Sequence, residues 1–145
     1  MSERALARSL RGYYASAAAM DGGFFLIMTA MPFKVLALGG GAVHLGLVPA
    51  PGAVAYIPFA PLAGHASDRV GRTGLCLAGG ALLVLCAALA YRAASLSSLL
   101  LLQLLMGLGK ALYWPVVQSA LADLTPPPQR VRVLNRFNVA WSGGK

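Results

Sequence analysis

Four long apolar runs, at residues 16–38, 43–63, 74–91 and 96–121, dominate this chain, and most of its charges are gathered outside them. A helix rises about 1.5 Å per residue, so each run suffices to cross roughly 30 Å of hydrocarbon. Of 145 residues, 58% are hydrophobic and only 11% are charged, against about a quarter in soluble domains. Charges this few and this clustered do not clothe a water-soluble core. The pattern excludes a soluble globule, a disordered tail and a disulfide-rich secreted module. It leaves an all-α polytopic membrane helix bundle, with the lipid bilayer as its first partner.

The net charge of +8 would point to nucleic acid in a soluble protein. Here the basic residues flank hydrophobic spans, so nucleic acid is set aside and the arginines report topology instead. If the runs alternate, Arg4, Arg8, Arg11, Arg69, Arg72, Arg130, Arg132 and Arg136 fall on one side and only Arg92 on the other. That bias makes the N-terminal segment 1–14 and the loops 64–73 and 122–132 cytoplasmic, in a cell (inner or plasma) membrane. Lys34 and Lys110 lie within spans, and Lys145 is the last residue. The first run exceeds the roughly 7–15 residues of a signal-peptide core, and further spans follow it, so it is a retained helix.

Prolines punctuate the runs. Pro49, Pro51, Pro58 and Pro61 fall in the second, where a membrane bundle tolerates kinked helices because neighbours and waters satisfy the freed carbonyls. Pro115 predicts a kink in the fourth. Pro126, Pro127 and Pro128 stop whatever helix precedes them. An apolar segment then begins near Val133, and residues 133–145 resemble the start of a fifth helix, so the chain is expected to be a portion of something longer. Cys76 and Cys86 are ten residues apart in one run, too far along a helix to pair. No cluster with metal-ligand spacing, no phosphate loop and no nucleophile–base arrangement is visible. No catalytic residue, no cofactor and no metal is therefore expected, and the chain is not read as an enzyme.

Between the second and third runs the sequence is GHASDRVGRT, with the frame G-x-x-x-D-R-x-G-R on Gly64, Asp68, Arg69, Gly71 and Arg72. This resembles the signature loop between helices two and three of the major facilitator superfamily of transporters. The alternative is a charged turn, but the positive-inside rule explains arginines and not this spacing. Thr73 stands where a second basic residue is common in the family. The stretches from Met31, from Gly107 and from Phe137 look like the family's helix-one exit, its fourth helix and the opening of its fifth. The resemblance implies part of the N-terminal six-helix half of a fold with about twelve helices, built from inverted three-helix repeats. It also implies a conformational latch: an acidic residue and arginines that hold one alternating-access state, rather than a substrate site. On physical grounds, Gly64 and Gly71 are expected to let the backbone turn tightly there.

Gln103, Lys110, Trp114 and Gln118 form a polar stripe on the fourth run, within roughly 80° of one another at about 100° per residue. Lysine inside a membrane is costly and usually faces a bundle interior or a wet cavity. Because the family's fourth helix lines the central cavity, Lys110 is the leading candidate for the transport path; the alternatives are a lysine paired with a carboxylate or one that snorkels. Gln103 stands where efflux members often have arginine, which argues against proton-coupled drug export. Asp21 is either a buried proton-relaying carboxylate or, the favoured reading, a water-exposed helix-end acid beside Arg8 or Arg11. Lys34 is expected to snorkel outward. Tyr56, Tyr113 and Trp114 either line a cavity or simply pack.

The function expected is transport of a small-molecule substrate by alternating access, with protons as a candidate coupling ion. The chain's partners are then the remaining helices of a full-length transporter, or other copies of itself. Two other readings stand beside it: a non-transporting membrane remnant or interaction protein, and a small four-helix oligomeric exporter. The latter class centres on a membrane glutamate in helix one, whereas the only glutamate here is Glu3, outside the span.

Overall fold

The computed structural model describes the backbone of residues 3–143 and the side chains of residues 6–143. Lys145 and the side chains of Glu3 and Arg4 lie outside the described residues. Among these residues the fold is helical throughout: α1 (Glu3–Ala37), α2 (Ala42–Leu47), α3 (Ala50–Val70), α4 (Arg72–Arg92), α5 (Leu96–Leu124), a single 3-10 turn (Pro127–Gln129) and α6 (Arg130–Ser142). Four segments have the length and composition to cross a membrane: Leu6–Ala37, Ala42–Val70, Arg72–Arg92 and Leu96–Leu124. Large apolar side chains such as Leu26, Phe33, Ile57 and Leu77 stand about 70% exposed on their outer faces, a surface that suits acyl chains rather than water.

The helices outrun the hydrophobic segments that announce them. α1 starts at Glu3, not at residue 16, and α6 starts at Arg130, not at 133. The ten-residue loop expected at 64–73 contracts to Gly71 alone, with α3 helical to Val70 and α4 helical from Arg72. Hydropathy marks where hydrocarbon ends, whereas backbone hydrogen bonding continues into water until a residue stops it. Gly71 is that residue, at φ 101°, a conformation only glycine adopts without strain. Gly64, by contrast, is helical with open space around it, so it is not needed for the turn. Pro51, Pro58 and Pro61 sit within an unbroken α3, while Pro49 marks the break after α2.

The chain divides into two compact units. One comprises Ala30–Val116; the other comprises the described residues up to Thr29 and from Val117 onwards. The boundaries fall inside α1 and α5, close to Pro32 and Pro115.

In the Ala30–Val116 unit, α1 ends in a Schellman motif. Gly39, at φ 79°, donates to Leu36 O (3.0 Å), and Gly40 donates to Val35 O (2.9 Å). The Lys34 Nζ donates to Tyr91 O (3.0 Å) near the end of α4, where the carbonyl end of a helix favours a cation. This places the C-terminal ends of α1 and α4 together. α5 opens on a reciprocal serine cap, in which Ser98 N donates to Ser95 Oγ (3.2 Å) and Ser95 N donates to Ser98 Oγ (3.3 Å). α5 then runs against α3 on one side and α4 on another. A Cβ on Gly107 would collide with the backbone of Gly52 in α3, and one on Gly79 would lie 2.8 Å from Gly109 O across the α4–α5 contact. Glycines with no side chain are thus what bring these backbones together. Buried Leu83, Cys86, Leu99, Leu102, Met106 and Ala111 fill the rest of this core.

In the other unit, Ala17, Val117, Ala120, Leu121, Val133 and Phe137 are buried. The Tyr14 hydroxyl donates to Val133 O (3.3 Å), tying α1 to α6. Thr125 Oγ1 donates to Leu121 O (2.7 Å), and Arg130 Nε donates to Thr125 O (3.1 Å), closing the end of α5 across the prolines.

Candidate functional site

The α5 stripe is a property of helical spacing, and α3 gives it a partner. Gln103 is 3% exposed, with its backbone and Oε1 against Gly52. Gly107 lies between Gln103 and Lys110 on the same face and meets Gly52 directly. One turn further along α3, the Tyr56 ring centroid lies 6.0 Å from Lys110 Nζ, at the outer limit of a cation–π contact. Trp114 is half-buried and packs edge-on against buried Tyr113, ring centroids 5.3 Å apart at 85°. Gln103, Lys110 and Trp114 therefore share one face of α5, and the first two meet α3. Gln118 lies on the same helix but in the other unit, and is exposed.

Asp21 differs from the favoured expectation of a water-exposed helix-end acid. It is 8% exposed, and its Oδ2 has no hydrogen-bond partner among the described residues. The cause is the length of α1, which begins at Glu3 and so leaves Asp21 well inside the helix rather than at its end. Lys34 donates its ammonium to the Tyr91 carbonyl, an exposed contact at the ends of α1 and α4.

At the Gly71 turn, Arg72 Nη2 donates to Asp68 Oδ1 at 3.0 Å, an ion pair one helical turn apart in sequence. Asp68 and Arg69 are exposed, and Arg72 is half-buried. The Ser67 hydroxyl donates to Gly64 O (2.6 Å) and is buried.

Inspection of the sequence missed the glycine crossings Gly52–Gly107 and Gly79–Gly109. The signal was available, since glycines in the middle of apolar helical runs mark close approach of another backbone. It also missed Tyr56 as the specific neighbour of Lys110, which no spacing within one run reveals. Cys76 and Cys86 are both free thiols.

Four apolar spans, small-residue crossings and a polar-aromatic face inside one of them define a polytopic helical membrane protein with charge held within its spans. The profile of the Major Facilitator Superfamily matches residues 13–145, and the chain belongs to that family. Its members are transporters and not enzymes. No curated protein matches the chain.

Proposed function

We propose that this chain supplies four membrane helices of a small-solute transporter working by alternating access, with the N-terminus and the Gly71 turn on the cytoplasmic side. The observation that carries this reading is the cluster on α5 and α3, where Gln103, Lys110 and Trp114 line one face of an otherwise apolar helix and Tyr56 stands opposite Lys110. An intramembrane lysine costs about 2.5–3.5 kcal/mol on insertion scales and is retained where it serves a wet path or a charge. Membership of a transporter family supports the same conclusion. Asp21, buried and with one carboxylate oxygen unpartnered among the described residues, is the acidic candidate for the path, with protons as the coupling ion to be tested, since acidic residues inside membrane helices often mark ion pathways. Asp68, Arg69, Gly71 and Arg72 act as the conformational latch, and Gly64 belongs to the same signature.

A transport path is wet and a packed core is dry. In a Cys76→Ala, Cys86→Ala background, Lys110→Cys and Trp114→Cys are expected to react with a small water-soluble thiol reagent in membranes. Leu101→Cys, on the opposite side of α5 and 60% exposed to the surroundings of the helix, is expected to stay unreactive in lipid. Equal silence at residues 101, 110 and 114 would remove the case for a path along α5.

A further inference from the structure

α6 is two-faced. Val133 and Phe137 are buried on one side, and the Val133 carbonyl accepts from Tyr14. Around the rest of its circumference, with Arg136 on the flank nearer Tyr14, Pro128, Val131, Arg132, Asn135, Arg136 and Val139 line an open concavity of about 550 Å³. Val131 and Val139 are 71% and 73% exposed. Two bare valines beside two arginines suit neither bulk water nor hydrocarbon, but they match the boundary where headgroups meet acyl chains.

We propose that this concavity binds the headgroup of an anionic glycerophospholipid. Arg132 and Arg136 are one helical turn apart, with Cβ atoms separated by about 5–6 Å, a spacing that lets both guanidinium groups donate to one phosphodiester. The Asn135 amide lies between them along the helix and supplies a further donor, for a phosphate oxygen or a glycerol hydroxyl. Val131, Val139 and Pro128 provide the apolar shoulder for the glycerol backbone and first methylenes. Among the described residues, neither Arg132 nor Arg136 forms an ion pair, whereas Arg72 is paired with Asp68 and Arg130 is turned onto the Thr125 carbonyl. The bilayer is the source of the phosphate because the site follows directly on a membrane span, Leu96–Leu124. The proposal stands independently of whether the chain transports.

The test is thermal unfolding of the purified chain in a neutral detergent, with added short-chain phosphatidylglycerol, short-chain phosphatidylcholine or glycerol phosphate. Phosphatidylglycerol is expected to raise the melting temperature saturably, and the other two are expected to leave it unchanged at the same concentration. The double variant Arg132→Gln, Arg136→Gln should melt as the parent does without lipid, and bind phosphatidylglycerol about 25-fold more weakly, at roughly fivefold per arginine. Arg92→Gln, on a different helix, should keep the parent's affinity. Native mass spectrometry of retained lipid provides the same comparison for any variant that melts abnormally. An equal response to phosphatidylcholine, an equal response to glycerol phosphate, full affinity in the double variant, or equal weakening by Arg92→Gln would each overturn the proposal.

Discussion

At the scale of single residues, glycines decide how closely α5 approaches its neighbours, and they separate into two kinds. Gly107 has the Gly52 backbone where a Cβ would go, and neither helix backbone can yield cheaply. Gly107→Ala is therefore expected to destabilise the chain by about 1–3 kcal/mol, the range for overpacking, read as a lower melting temperature in detergent. Gly64 has nothing within 4 Å of where a Cβ would stand and lies inside α3, so Gly64→Ala should be neutral or stabilising by up to about 1 kcal/mol. If the two substitutions behave alike, the close crossing is not what holds α3 to α5. Asp21 is a residue-scale case of the opposite sign. A buried carboxylate oxygen without a partner costs about 1–3 kcal/mol or more, so Asp21→Asn should raise the melting temperature. A clear fall would show that Asp21 has a partner of its own.

At the scale of elements, the Gly71 turn joins α3 to α4 through one residue, and the Asp68–Arg72 pair straddles it. The pair is exposed on its acidic side, with Asp68 at 59% and Arg72 at 23% side-chain exposure, and such i, i+4 pairs contribute only about 0.3–0.5 kcal/mol. Asp68→Asn should therefore change stability by less than about 0.5 kcal/mol. If the turn acts as the proposed latch, Asp68→Asn in a transport-competent chain carrying it should still lower the rate of uptake, because the latch reading gives that carboxylate a contact in one conformational state. Normal uptake by that variant would end the latch reading. The same turn explains what hydropathy can and cannot reveal. The spans were legible because about 20 apolar residues are the minimum that crosses hydrocarbon, and Pro126 to Pro128 correctly end α5 soon after Leu124. The turn's length was not legible, because Gly64 to Val70 are polar enough to lie outside the bilayer yet still hydrogen-bonded as helix. Along α5 the face bearing Gln103, Lys110 and Trp114 was legible from a 3.6-residue period. Its contact with Gly52 and Tyr56 was not, because a period within one helix says nothing of which helix it meets. The depth of Asp21 is not legible for a related reason: it depends on where α1 begins, and apolar residues do not mark Glu3 as that point.

At the scale of the whole molecule, orientation and activity both follow from how many spans there are and where arginine lies. If the four spans alternate across the bilayer, eight arginines fall on one side and Arg92 on the other, and the Gly71 turn is then expected to be cytoplasmic. Thr73→Cys and Ala94→Cys, both at exposed positions and in a background without Cys76 and Cys86, are the probes. Ala94→Cys should react with an impermeant reagent from outside, and Thr73→Cys only after the membrane is opened. Transport makes the stronger demand. In this family the substrate path lies near the bilayer midplane between repeats that rock against one another. Among the described residues, four spans would supply one wall of such a path. Vesicles holding only this chain should therefore show no saturable, gradient-dependent flux across a panel of solutes, with or without a proton gradient. The polar face of α5 would also lack part of its cover, so a lysine costing about 2.5–3.5 kcal/mol in lipid should drive self-association or rapid turnover in cells. Co-expression with the remaining helices of a family member should slow that turnover. Saturable flux by the chain alone would defeat this expectation and favour a small oligomeric exporter, in which copies of the chain face one another across the path.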